Sequence, residues 1–461
     1  MAQHNEQKHV LIVGAGFAGL KAAQTLAKKN VRVTLVDKNN YHLFQPLLYQ
    51  VASTGLNPSE ISAVVRRNFR RAKNVKVLKA TLTGLDKRAQ QATFDNERFT
   101  LDYDFLILGV GGKTCYFGND QWAHNAPGLK CLTDAVTIRN RLLSSLEEAE
   151  LLGDKAEFEE LTSVVVIGGG PTGVELAGSF AELRSKVLKN EFREFDTSKV
   201  RVTLVEGGPN LLTGYAESSS QYTKKRLEKL GVEVLLNERV SDVTERGIQT
   251  QNRFISSQNV IWAAGVEGHP LAKMVTDKLD GRGRILVTPE LLIEGESNIY
   301  ACGDMTYFGH DERYPRGLPG VAPAAIQQGH RAALNLLAQI EGRPSKPFQY
   351  FDKGKMATIG RSAAVAEASG LKMKGLLAWV AWLFIHLLYL VDFQDRILVF
   401  MRWIWSYFTW NWGVRIIFGS GHTLVNSEPE GELDPTHDQP VKAPAEEPST
   451  DQDDPERVEP S

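Results

Sequence analysis

At 461 residues the chain is too long for one ordinary domain, and roughly 150 residues per domain gives about three. Apolar residues make up 42% and charged residues 23%, which excludes a wholly disordered or collagen-like chain. Three cysteines, Cys115, Cys131 and Cys302, lack C-x-x-C spacing, so a disulfide scaffold, a zinc ribbon and a dithiol redox centre are excluded too.

The formal net charge of −2 hides an uneven distribution. Residues 427–461 carry twelve Asp or Glu against Lys442 and Arg457, with seven prolines and no aromatic residue, and read as a disordered acidic tail. Without it the chain stands at +8, with no Lys/Arg block long enough for a nucleic-acid arm, so no nucleic-acid partner is expected. The first apolar strand begins at Val10, which leaves no room ahead of it for a signal-peptide core.

Val10 to Val13 is an apolar run without alternation, as in a strand covered on both faces. It enters Gly14-Ala15-Gly16-Phe17-Ala18-Gly19, a helical stretch from Leu20 to Lys29, and a second strand closed by Asp37 and Lys38. In such a βαβ unit the glycines serve a tight turn, close approach to a pyrophosphate and helix-to-strand packing. The phosphate rests on the helix N-terminus, and Asp37 is placed to accept from an adenosine ribose. Tyr103 to Gly109 is a further apolar strand ending in a small residue.

The same grammar recurs 154 residues later. Val164 to Ile167 leads into Gly168-Gly169-Gly170-Pro171-Thr172-Gly173, a helix from about Val174, a polar helical extension over Arg184 to Lys199, and a second strand closed by Glu206. Two such folds imply two dinucleotides: one flavin held permanently, and one nicotinamide that arrives, delivers hydride and leaves. Gly207 and Gly208 follow Glu206, so no Lys or Arg offsets a carboxylate that repels a 2′-phosphate; this favours NADH over NADPH. Asn259 to Gly265 is another strand ending in small residues, with Gly265 suited to close approach of the nicotinamide cofactor.

Ile299 to Asp304 is a short strand stopping at a Gly-Asp turn, where Asp304 is placed to bind the ribityl or pyrophosphate region of the first cofactor. Pro323 opens a helix over Ala324, Ala325 and Gln328 whose N-terminus faces the flavin pyrimidine. From Gly375 to Ser420, thirteen of 46 residues are aromatic, against 9% overall. Leu376 to Val391 is shorter than the roughly 20 residues of a spanning helix. Over Phe393 to Thr409, Asp395, Arg402, Ser406 and Thr409 share one face while Ile397, Phe400, Ile404 and Phe408 take the other. A monotopic anchor on a membrane lipid surface is expected, with Arg396, Arg402 and Arg415 reaching headgroups; a helical hairpin at a dimer interface is the alternative.

The expected architecture is α/β. Two tandem Rossmann-like dinucleotide-binding domains, over 1–130 with 290–370 for FAD and 131–289 for NADH, precede a helical membrane-anchoring region over 371–426 and the tail over 427–461. Several segments resemble one family, the type II NADH dehydrogenases: Asn40 to Ala52, Gly168 to Ala177, Ile261 to Val266, Leu318 to Pro323, Gln327 to Gly329 and Met356 to Arg361. The resemblance implies a single-subunit flavoenzyme that passes electrons from NADH through FAD to quinone without pumping protons. It further implies a homodimer docked as a peripheral, monotopic protein on the cytoplasmic face of a bacterial cell membrane. By the same resemblance Glu175 stands near the nicotinamide and flavin edge, although a helix N-terminal Glu is also favoured by the dipole alone. Gln327 matches a family glutamine close to the flavin and quinone tunnel, but Ala322-Pro323 stands where many members carry Ala-Gln. The proton donor to the quinol is open among Glu175, water and His386.

Overall fold

The computed structural model describes residues 7–153, 158–409 and 414–417; the acidic tail lies outside the described residues. The first βαβ unit is β1 (His9–Val13), α1 (Phe17–Leu26) and β2 (Arg32–Asp37), and β3 (Val75–Lys79) and β4 (Phe105–Leu108) continue its sheet. Helix α2 (Leu132–Leu152) leads to the second unit: β5 (Val164–Ile167), α3 (Pro171–Leu183), β6 (Val202–Glu206), β7 (Val232–Leu236) and β8 (Asn259–Trp262). The chain then returns through β9 (Ile299–Ala301) and α4 (Ala322–Ile340), forms the hairpin strands β10 (Lys355–Thr358), β11 (Ala364–Ala368) and β12 (Leu371–Gly375), and ends in α5 (Leu376–Tyr389) and α6 (Phe393–Thr409).

Both main sheets are parallel, in the orders β9-β4-β1-β2-β3 and β7-β6-β5-β8. Their central strands are buried along their whole length, which is why their sequences carry no alternation. Each unit also inserts a three-stranded antiparallel meander before its fourth strand: residues 82–102 in the first and 240–256 in the second. The duplication therefore extends well beyond the fingerprints.

Two boundaries differ from the sequence reading. The polar extension after α3 is a wide π-type turn over Arg184–Leu188 and a short helix ending at Glu191, rather than one helix to Lys199. Strands β10 and β11, expected with the first unit, bury Ala357, Ile359 and Ala363–Ala366 in the core that holds α3 of the second. Phe44 to Ile61, from the first unit, joins that same core. Apolar residues on both faces of these short elements must be covered, and α2, α3 and α5 cover them together.

Helix α5 buries Ala378 and Trp382 and leaves Leu377 and Phe384 76% and 62% exposed. Helix α6 splits as its periodicity dictates, but the polar stripe is the one that faces the protein. Arg402 pairs with Glu60 at 2.6 Å, Trp403 Nε1 donates to Gln50 at 3.0 Å, Arg361 donates to Ser406 at 3.1 Å, and Val399 is fully buried between them. Ile397, Phe400, Ile404 and Phe408 are turned outward. The three arginines assigned to lipid headgroups are engaged with the protein instead: Arg396 with the Leu390 carbonyl, Arg402 with Glu60 and Arg415 with Glu191. Among the described residues, no helix is long and apolar enough to cross a membrane.

Candidate active site

Two glycine-rich turns have the same geometry. Gly14 and Gly168 sit at φ +100° and +110°, a region L side chains rarely adopt, and a Cβ on either would fall 2.4 Å or 2.7 Å from the backbone of the crossing strand end at Gly109 or Ala263. A Cβ on Gly19 or Gly173 would lie 1.8 Å from the carbonyl oxygen of Gly14 or Gly168, so each helix rests directly on its own turn.

The terminal acids also correspond. Asp37 accepts from the N–H groups of Ala15 and Asn39, each at 2.6 Å; Glu206 accepts from those of Gly169 and Gly208, each at 2.6 Å. Burial pushes the Asp37 carboxyl up, and the two N–H donors oppose that shift. Each acid thus ties the fingerprint loop to the end of the second strand, a role the sequence pattern did not reveal.

The two turns differ in their surroundings. The first opens on a long cleft of about 470 Å³ lined by Gly14 to Ala18, Asp37, Lys38, Cys302 to Asp304, Ala322 and Ala325. Asp304 accepts from Lys130 Nζ at 3.1 Å at its rim. At the second, Pro171 and Thr172 are exposed and nothing stands within 4 Å of a Cβ built on Gly170. Gly265 lies nearby, facing Cys115 and Phe117.

A separate, largely apolar cavity of about 410 Å³ lies between α3, α5 and α6. Trp379, Trp382, Leu383, Phe384, Phe400 and Phe408 wall it, and Glu175, Ser179 and Glu182 of α3 supply its polar side. At its inner end a bonded series runs from Trp403 Nε1 to Gln50 (3.0 Å), Gln50 Nε2 to Tyr49 (2.9 Å), Tyr49 to Thr358 Oγ1 (3.2 Å), and Thr358 N–H to Glu175 (3.3 Å). Burial pushes the Glu175 carboxyl up to about 8, only partly offset by that N–H, so it is an acid at neutral pH. The same burial, with Glu175 adding to it, pushes the Tyr49 phenol well above its ordinary value.

Residues 8–329 match the pyridine nucleotide-disulphide oxidoreductase family. The type II NADH:quinone oxidoreductase NdhA of Mycobacterium tuberculosis is 40% identical over 410 residues, covering 86% of each chain. The chain belongs to the type II NADH:quinone oxidoreductases. A Staphylococcus saprophyticus member is 29% identical over 81% of this chain and 92% of its own. The same fold is found in the NDH2 of Plasmodium falciparum, solved in complex with NADH, with a TM-score of 0.81 and 23% identity over 90% of this chain and all of that one.

As a type II NADH:quinone oxidoreductase, the chain has the α/β dinucleotide-binding flavoprotein fold, without the paired cysteines of the wider family's disulfide reductases. Cys115, Cys131 and Cys302 are all free, and burial pushes the Cys131 thiol up to about 12. Of the expected site residues, Glu175 lines the apolar cavity and the first-fingerprint residues line the cleft. Gln327 lines neither. Its amide exchanges two hydrogen bonds with the backbone of Phe351, at 2.9 and 3.0 Å. The next residue, Gln328, 2% exposed, accepts from the Gly303 N–H at 2.7 Å and fixes the turn that presents Asp304. His386 stacks on Trp382 with ring centroids 4.0 Å apart, bonds the Trp382 carbonyl through Nδ1, and is held down to about 4 by burial. It is neutral at physiological pH and absent from the cavity lining. Tyr49, Gln50 and Thr358 lie within Asn40 to Ala52 and Met356 to Arg361, two of the segments that carry the family resemblance, and Trp403 lies outside them.

Proposed function

We propose that the chain oxidises NADH at the second fingerprint and reduces a quinone bound in the apolar cavity, by way of FAD held in the cleft of the first. One observation carries this reading: a buried carboxyl, Glu175, lines an apolar cavity whose outer wall is the outward-facing side of α5 and α6. The cleft fits FAD. Gly16, where a built Cβ meets only the Gly109 carbonyl oxygen at 3.8 Å, leaves room for close backbone approach, Asp37 and Lys38 stand at the adenosine end, and Asp304, Ala322 and Ala325 line the opposite side. When bound, FAD supplies the two-electron exchange that no side chain offers. A walled cleft suits the resident cofactor, and the exposed second turn suits the visitor.

The residues orient and protonate. Gly168, Gly170, Pro171, Thr172 and Gly173 present the α3 N-terminus to the NADH pyrophosphate, and Glu206 stands at the ribose. Trp379, Trp382 and Phe384 exclude water around the quinone ring, while Glu175 holds a proton for its developing oxyanion. Consuming NADH with a soluble quinone under nitrogen tests the reading: one quinol per NADH is expected, and NADH loss that needs dioxygen and ignores quinone opposes it. Glu206→Ala is expected to narrow the preference for NADH over NADPH about tenfold, equivalent to roughly 1.4 kcal/mol, in paired kcat/KM measurements.

The outward faces of α5 and α6 are proposed to rest on one leaflet, from which the quinone enters directly; a homodimer formed elsewhere on the surface is compatible. Flotation with phosphatidylcholine vesicles tests the contact. Replacing Phe384 and Phe408, 62% and 77% exposed, together by Glu should weaken vesicle binding about a hundredfold or more with little change in Tm. Unchanged flotation would place the membrane surface elsewhere.

A further inference from the structure

The polar side of the cavity is a single stripe. Glu175, Ser179 and Glu182 recur along α3 at intervals of four and three residues, which stacks them on one face over roughly 10 Å, and all three line the cavity. Ser179 shares a 2.6 Å hydrogen bond with Ser53. Glu182, 7% exposed, accepts from the Arg361 N–H, where Gly360 lets the backbone pass: a Cβ there would lie 2.7 Å from the Glu182 carboxyl. Three cations face this carboxyl from three elements: Arg361 after β10, Arg226 on the helix Glu217–Lys229, and Lys186 on the turn that follows α3.

The proposed reaction, NADH + H+ + quinone → NAD+ + quinol, draws two electrons and one hydrogen from NADH and needs a second hydrogen from solvent. A proton crossing an apolar cavity requires carriers. Glu175 and Glu182 are both buried, but only Glu182 is faced by a cation at the protein surface, the exposed Lys186.

We propose that Glu182 is the second proton carrier of the quinone cavity, taking a proton from solvent at its cationic end and returning it by way of Ser179 to Glu175 after each quinol forms. This inference rests on the functional reading above. When Glu175 gives its proton to a quinone oxygen it is left as a carboxylate; the proton of Glu182 moves through the Ser179 hydroxyl or a water beside it and restores the acid. Glu182 is left as a carboxylate facing Arg361, Arg226 and Lys186, which stabilise that charge until solvent reprotonates it.

Anaerobic stopped-flow spectroscopy of the full flavoprotein tests this, with Glu182→Gln keeping the acceptor for the Arg361 N–H. Re-oxidation of the NADH-reduced flavin by a soluble quinone is expected to slow at least about tenfold above pH 7, the low end of what positioned proton transfer contributes. Its solvent deuterium isotope effect should rise, and added imidazole should restore the rate. Bleaching by NADH in the same trace is the internal reference. Ser179→Ala should give a smaller slowing of the same kind, and it decides the matter if Glu182→Gln does not fold. A quinone step unchanged in rate, pH profile and isotope effect overturns the relay, as does a slowing that imidazole leaves untouched. Wild-type protein that quinone cannot re-oxidise overturns the functional reading beneath it.

Discussion

Gly14→Ala is expected to give a colourless protein, and Gly168→Ala a yellow one that NADH no longer bleaches. The two substitutions add the same methyl group to the same local geometry. Each forces a Cβ to within 2.4 or 2.7 Å of backbone at φ near +100°, so each costs the αL-type penalty of about 1–2 kcal/mol plus a backbone displacement that opens its turn. The opposite outcomes follow only from which cofactor each turn holds. Flavin content from the visible spectrum, and the rate of its loss on mixing with NADH, provide the two readouts. If both variants come out yellow and reducible, the duplicated turns are structural and the cofactors lie elsewhere.

Glu175→Gln carries the second large effect. The variant should slow flavin re-oxidation by quinone about a hundredfold, since positioned proton transfer contributes roughly 10² to 10⁴. The substitution should also change stability in a pH-dependent way whose sign follows from the raised value. The folded chain keeps this proton up to about pH 8, whereas the unfolded chain loses it near 4.5. Stability contributed by the acid is therefore complete below about 4.5 and is lost as pH rises towards 8, by up to about 4 kcal/mol. Glutamine has no proton to lose, so its Tm relative to wild type should improve between pH 5 and pH 8. A difference that does not vary with pH would mean that Glu175 is ionised in the fold.

Much of this site was legible in the sequence because its constraints are local. Val10 to Asp37 and Val164 to Glu206 each carry strand, turn, helix, strand and acid in order, and nothing distant is needed to read them. The polar and apolar faces of α6 were equally plain from spacing. Periodicity could not say which face meets the protein, because that depends on Glu60, Gln50 and Arg361 from three separate parts of the chain. Spacing is equally silent on which of Gln327 and Gln328 reaches Gly303: on a helix the two point about 100° apart, and the packing of α4 on α1 decides. Tyr49, Thr358 and Trp403 meet at Glu175 across intervals of more than a hundred residues, a convergence without a sequence period. The membership of β10 and β11 in the second core is not legible in the sequence because their apolar residues can be covered by either unit.

The most direct test is an anaerobic double mix. NADH is added to the purified yellow protein until its visible absorbance bleaches, and a soluble quinone is then introduced. The account predicts full bleaching followed by return of the oxidised spectrum, with one quinol formed per flavin. A spectrum that NADH leaves unchanged, or that stays bleached in the presence of quinone, would contradict it.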